Sequence, residues 1–412
     1  MKLFRLSRFA FPVLVGAGLT LLSGPAAAGW VAQTSGMSGT LYSIQFPVDA
    51  LTGYAVGADG VLAAILKTTN GGSNWVSQLS GTGGYLRSVY FTADSQTGYA
   101  IGGTGSFMSI QAKTTNGGSN WVVSQPSPRN GILRSVQFPV DAQTGYAVGL
   151  SLLILKTTDG GTNWDAYPSN TDWLNSVQFP VDARTGYAVG DNGIILKTTD
   201  GEYWTGQPSG TTSSLFSVHF PMDTLTGYAV GANGVIRKTT NGGANWIAQT
   251  SSTSEYLYSV HFPVNNLTGY AVGSGGIILT TTDGGTNWGV QTSGTANSLY
   301  CVHFPVDAFT GYAVGEMGTI LKTTDGGHSG VEETTEVRGQ RPGVRITTRP
   351  NPFTSFASVP GYEAERFSLY DVSGGNVGTC NGDRIGEGLK AGAYFLMPEG
   401  ENTKPLRILK VR

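Results

Sequence analysis

Three histidines recur in register along the chain: His219, His261 and His303, each inside a Ser-Val-His-Phe or Cys-Val-His-Phe phrase. Three imidazoles at matched positions invite a metal reading, because neutral imidazole is a common zinc ligand. Other copies of the phrase hold Gln45, Gln137 and Gln178 at the same place. Glutamine is a poor zinc ligand and a good lining for a polar channel, so the pattern predicts a shared structural position. The motifs of well-known chemistries are missing. No His-Glu-x-x-His, no Gly-x-Ser-x-Gly and no Gly-Lys-Ser/Thr phosphate loop occurs. No two carboxylates stand out as the pair that glycoside hydrolysis requires. We expect no catalytic residue, no metal and no cofactor.

Residues suited to binding are easier to find. Arg87 and Arg134 hold equivalent places in adjacent repeats, and Arg129 lies just before the second. Together they would form a basic spot for an acidic peptide or carboxylate; the alternative is three separate solvated arginines. Trp173 is the one tryptophan outside a repeated series, and it sits in a variable link. It suits a stacking platform for a sugar or peptide, or a cover for the strands beneath. Tyr85 and Tyr256 end two other variable links.

The elements that must position these residues are written as a repeat. Thr-Thr-Asp/Asn-Gly-Gly-x-Asn-Trp occurs at 68–75, 114–121, 157–164, 239–246 and 281–288. A form one residue shorter ends at Trp204, and a copy at 323–330 has lost its tryptophan. Gly-Tyr-Ala-Val/Ile-Gly keeps step, beginning at Gly53, Gly98, Gly145, Gly186, Gly227, Gly269 and Gly311. Each repeat holds four short runs rich in β-branched and aromatic residues, bounded by Pro, Asn, Asp or Gly. Four strands recurring at this period predict a propeller of seven blades. The strand missing after the last Asp-Gly-Gly turn is supplied by Trp30-Val31-Ala32-Gln33, which matches Trp246–Gln249 and should clasp the ring shut. Gly supplies the positive φ of the hairpin turn and Asp or Asn caps it. Seven such turns spread around a ring cannot form one active site. The near-identical turns fall on one face, and the variable links and second-to-third-strand turns, such as 191–193 and 316–318, fall on the other. A site belongs on the variable face.

Composition divides the rest. A basic start, an apolar run from Phe9 to Leu22 and Pro25-Ala26-Ala27-Ala28 predict a signal peptide over 1–28. No later stretch is apolar enough to span a membrane. Residues 29–330, the propeller, carry 28 charges in 302, whereas residues 331–412 carry 21 in 82. A linker at 331–344 leads to a small β-sandwich domain at 345–412, so the fold class is all-β. A net charge of −2 without a basic block argues against nucleic acid as partner. Cys301 takes the place of the serine in the repeated phrase and reads as a small buried residue; no disulfide framework is expected.

The Thr-x-Asp-Gly-Gly-x-x-Trp phrase resembles the Asp-box (bacterial neuraminidase repeat) of sialidases, xyloglucanases and sortilin-type receptors. The full combination, Ser-Val-x-Phe, Gly-Tyr-Ala-Val-Gly and Ile-Leu-Lys-Thr-Thr-Asp-Gly-Gly, is similar over residues 30–327 to the photosystem II stability/assembly factor propellers. That resemblance implies a seven-bladed, non-catalytic binding or assembly platform. It also implies an arginine patch in binding, of which Arg87 and Arg134 would be a reduced version. Residues 345–412 resemble the C-terminal sorting domain of type IX-secreted proteins, through Asn351-Pro352-Phe353, the strands at 367–374 and 389–396, and the closing Arg407–Arg412. Gly375 stands where that family usually has Arg or Lys. This resemblance implies the secretion machinery as a partner and release or surface attachment. We expect a monomeric exported module that binds a protein or an extracellular glycan. The alternative is a glycan-active hydrolase, against which seven blades and few arginines count.

Overall fold

The computed structural model describes residues 29–78, 82–126, 131–150, 153–168 and 173–327, and then 366–371, 376–381, 383–385, 389, 392–398 and 406–410. The stretches read as a signal peptide (1–28) and a linker (331–344), with Arg129, Asn351-Pro352-Phe353 and Gly375, lie outside the described residues. The chain divides into two compact units, Met1–Gly330 and Val331–Arg412.

The first unit is a propeller of seven four-stranded antiparallel blades. Their innermost strands are Thr40–Gln45, Tyr85–Phe91, Leu133–Gln137, Leu174–Gln178, Leu215–His219, Leu257–His261 and Leu299–His303. The Gly-Tyr-Ala-Val/Ile-Gly phrase forms the second strand of every blade, buried along both faces, as its continuous apolar run requires. Blade seven takes its outermost strand, Val31–Gln33, from the start of the chain, paired with Ile320–Lys322. The clasp is present as the sequence predicts, and it leaves no blade a strand short.

The seams between blades show what the repeated phrases are for. In all seven seams the tyrosine of one blade stacks on the phenylalanine of the next, as Tyr99 does on Phe138 at 3.8 Å between ring centres. The tryptophan after each Asp-box meets that phenylalanine edge-on, as Trp164 meets Phe138 at 6.1 Å. In the seventh seam Trp30 takes the tryptophan's place, 5.9 Å from Phe304, with its indole N–H on Gln291 Oε1 at 2.9 Å. Stacked and edge-on aromatic pairs add about 0.5–1.5 kcal/mol each beyond area burial. The glycine opening the second strand makes room for the stack. A Cβ on Gly145 would lie 2.4 Å from the Phe138 ring.

The Asp-box turn is a closed hydrogen-bond knot. Asp159 Oδ1 accepts from the Asn163 and Thr162 amides, while Thr157 Oγ1 donates to Asp159 and accepts from the Gly161 amide. These bonds favour the ionised carboxylate and hold Asp159 down at about 2. The turn also receives its neighbour. Gly160 carbonyl accepts from the Tyr99 hydroxyl at 3.1 Å and from Lys113 Nζ at 2.7 Å, both of the preceding blade. The same lysine latch recurs at Lys67, Lys197, Lys238 and Lys322. Where the turn is one residue shorter, Lys156 instead bonds Glu202 at 3.2 Å.

In the second unit the described strands form one antiparallel sheet in the order Asn376–Asn381, Arg366–Asp371, Gly392–Pro398, Leu406–Lys410. Phe367, Leu369, Ile385 and Leu396 are its buried apolar residues. The second sheet that a sandwich needs is not among the described residues.

Candidate functional site

Each innermost strand of the propeller carries a bulge at the same place. Pairing with the second strand skips one residue, for example between Leu133 and Ser135 and between Leu257 and Ser259. The skipped residues are Tyr42, Arg87, Arg134, Asn175, Phe216, Tyr258 and Tyr300. A bulge leaves its residue out of the ladder and re-aims the side chain. Here the seven re-aimed side chains ring the channel mouth, several of them in contact. Arg87 lies over the Tyr42 ring, Tyr42 tilts against Tyr300 at 5.3 Å, Tyr300 against Tyr258 at 4.9 Å, and Tyr258 against Phe216 at 5.4 Å. Asn175 bridges the remaining side, accepting from Arg134 and donating to the Leu215 carbonyl.

The mouth opens on the variable face. Asn175 Nδ2 donates to Asp191 Oδ1 at 3.0 Å, and the Tyr300 hydroxyl donates to Glu316 Oε1 at 3.0 Å. Asp191 and Glu316 both open second-to-third-strand turns, Asp191–Gly193 and Glu316–Gly318. In the middle of these turns Asn192 and Met317 take the left-handed conformation, with φ of 58° and 54°. That is common for Asn and unusual for Met.

The ring has two unlike sides. Blades two to four supply a polar arc: Arg87, Arg134 and Asn175. The Arg87 guanidinium stands 3.9 Å from the Tyr42 ring centre and 5.1 Å from that of Tyr85. Arg134 lies 5.6 Å from the ring centre of Trp173. Burial and then the charge of Arg87 lower the Arg134 pKa, and Asp191 opposes them. Blades five to seven and one supply an aromatic arc: Phe216, Tyr258, Tyr300 and Tyr42. Tyr256 adds a further ring, 6.0 Å from Phe216 and 6.4 Å from Tyr258. Two carboxylates border this arc. Glu316 accepts from the Ser298 amide and from Tyr300, bonds that hold it below its ordinary range, and Glu255 accepts from Ser274. Burial, then Glu316, Tyr256 and Glu255, push Tyr258 up.

Of the residues singled out from sequence, the structure brings Tyr85, Arg87, Arg134 and Trp173 together on the polar arc and sets Tyr256 on the aromatic one. Trp173 is 45 % exposed; its backbone bridges Leu150, and its carbonyl accepts from the Asp191 amide. Sequence reading missed Tyr42, Asn175, Phe216, Tyr258 and Tyr300. Their signal is visible in hindsight: one position between an invariant Leu and a Ser or Cys changes from blade to blade.

Deeper in the channel lies a second ring, and it holds the three histidines. His219 Nε2 and His303 Nε2 bond the carbonyls of Phe262 and Phe46, each at 3.2 Å, and His261 Nδ1 accepts from the Phe304 amide at 3.1 Å. Gln45, Gln137 and Gln178 make the matching bonds to Phe91, Phe179 and Phe220. The histidines thus act as seam residues on the channel wall. Burial holds His219 and His303 down at about 4, and burial with both neighbouring imidazoles drives His261 well below its ordinary value. Between these rings the serines of the phrase tie blade to blade, as Ser135 Oγ accepts from the Val177 amide. Cys301 replaces the last of them, with Sγ 3.9 Å from the Ile44 carbonyl.

The sequence model of the photosynthesis system II assembly factor YCF48 matches residues 119–208 and 202–293. No curated protein sequence matches the chain. Among solved structures, YCF48 bound to D1 peptide is 21% identical, with 72% of this chain and 97% of that one covered at a TM-score of 0.58. YCF48 from Cyanidioschyzon merolae is 20% identical, with 72% and 98% covered and a TM-score of 0.59. The RRP9 WD40 repeats reach a TM-score of 0.61 at 8% identity, with 73% and 99% covered, so the fold itself is widely shared. In its repeats and in its fold, the propeller is photosystem II assembly factor-like.

Proposed function

We propose that the protein is an exported, non-catalytic binding or assembly module, acting outside the cell or at its surface, whose ligand is a segment of another protein held at the variable-face mouth. The observation that carries this is the ring of bulged residues. The other layers keep residues that make the same seam bonds, as His219 and Gln178 do in the ring below. At the bulge, residue identity is free of the ladder, and it sorts into a polar arc and an aromatic arc facing one opening. The solved YCF48 with a bound D1 peptide supports a peptide as the kind of guest. The basic-apolar-Ala start and the resemblance of residues 345–412 to a type IX sorting domain support export, with the secretion machinery as a second partner.

The test is affinity capture with the full chain, against envelope extract and culture polysaccharide from the source organism. Protein retained by the wild type, and lost with Trp173→Ala at unchanged melting temperature, supports the reading. Retained polysaccharide in place of protein would overturn it in favour of a glycan-active protein and call for a hydrolysis assay. A Trp173→Ala change that alters only stability would make that residue packing.

A further inference from the structure

The two arcs of the mouth suit opposite charges. On the polar arc the protein supplies its own cations: Arg87 stacks on Tyr42 and Arg134 on Trp173. Across the ring, Tyr258 stands 4.9 Å from Tyr300, 5.4 Å from Phe216 and 6.4 Å from Tyr256, ring centre to ring centre, and Phe216 and Tyr256 are 6.0 Å apart. Among the described residues no lysine or arginine lies over any of these four rings. Their neighbours are negative instead. Glu255 and Glu316 both act on Tyr258, and Glu316 is kept ionised by its bonds to Ser298 and Tyr300. The ion pair of Lys156 with Glu202 is elsewhere, at the Asp-box turns. Aromatic faces attract cations through their quadrupoles, and a nearby carboxylate strengthens the attraction.

We propose that the aromatic arc binds a basic side chain, an arginine or lysine of the peptide ligand. The inference rests on the reading of the mouth as the peptide site and names what that peptide must carry. Arginine suits the arc better, because a planar guanidinium stacks on rings while its N–H groups reach a carboxylate. The guest cation repeats on blades five to seven what Arg87 does for Tyr42. An acidic group on the same peptide would meet Arg87 and Arg134 on the other side.

The experiment uses the full chain and two fluorescein-labelled probes, tetra-arginine and tetra-glutamate, read by fluorescence anisotropy at physiological salt. Tetra-arginine should bind the wild type. Tyr258→Leu, which keeps apolar bulk and removes the ring, and Glu316→Gln should each weaken it about tenfold, in the range a desolvated cation–π or charged contact supplies. Tyr258→Phe should bind like the wild type, and tetra-glutamate affinity should fall in none of the three. Melting temperatures within a few degrees of wild type certify the fold. Tetra-arginine binding that is absent, or that survives both Tyr258→Leu and Glu316→Gln, overturns the proposal. Loss of tetra-glutamate binding alone would remove the acidic-group reading of Arg87 and Arg134 and leave this one standing.

Discussion

The buried histidines make the propeller acid-sensitive in a defined window. His219 and His303 titrate at about 4 in the folded chain, against about 6.5 for an exposed imidazole. A histidine with a depressed folded value stays neutral in the fold while the unfolded chain takes up a proton. Stability therefore falls as pH drops below about 6.5 and stops falling below about 4. For one such group, the shift from pH 7 to pH 5 costs about 2 kcal/mol, since a full unit is worth about 1.4. Two groups would give about 4 kcal/mol; allowing for water in the channel, about 2–3 kcal/mol is expected. Carboxylates contribute their own pH dependence, so the informative comparison is between variants. The chain already shows the replacement: Gln137 makes both backbone bonds at this position, donating to the Phe179 carbonyl and accepting from its amide. A His219→Gln, His303→Gln variant should fold, and between pH 7 and 5 it should lose about 2–3 kcal/mol less than the wild type. Urea unfolding at the two pH values measures both losses. Equal losses would refute the argument, because the histidines would then carry no more proton linkage than glutamines.

Four further outcomes follow from the seams. Deleting Trp30–Gln33 removes the outermost strand of blade seven and the indole against Phe304, and should cost about 3–5 kcal/mol, as loss of a buried tryptophan does; a deletion variant melting like the intact chain would dismiss the clasp. Gly145→Ala drives a methyl into the Phe138 ring and should cost about 1–3 kcal/mol by overpacking, measured by denaturant unfolding. Lys238→Met removes the donor to the Gly284 carbonyl while Tyr228 still bonds it, at a cost of about 1 kcal/mol. Glu202→Gln, at an exposed pair, should cost well under 1 kcal/mol by the same assay.

Much of this fold can be read locally. The Asp-box announces a hairpin because its Thr and Asp side chains bond groups within a few positions of sequence. The blade count and the clasp follow from periodicity and from the displaced tryptophan. The latches are less visible: Lys113 reads as one residue of a strand, and only the packing of blade on blade brings it to Gly160 of the next one. The same holds for the histidines, whose partners Phe262, Phe304 and Phe46 belong to neighbouring blades. Arg87 and Arg134 were noticeable as charges. Tyr42, Tyr258 and Tyr300 passed as ordinary strand aromatics, because an alternating pattern does not show where pairing will skip a residue.

The bulge is the feature that reconciles a repeating fold with a singular site. At the residues on either side of it, chemistry is dictated by the seam: Leu133 is fully buried and Ser135 accepts from the next blade. Substitution there disturbs two blades at once. The bulged residue has no ladder partner and only its ring neighbours to satisfy, so its identity can change with little cost to the blade beneath. Variation concentrated at one such position in all seven repeats is then variation in a surface, not in a core. The Leu–x–Ser phrase thereby carries both roles, with Leu and Ser holding the ring closed and x setting what the mouth can bind.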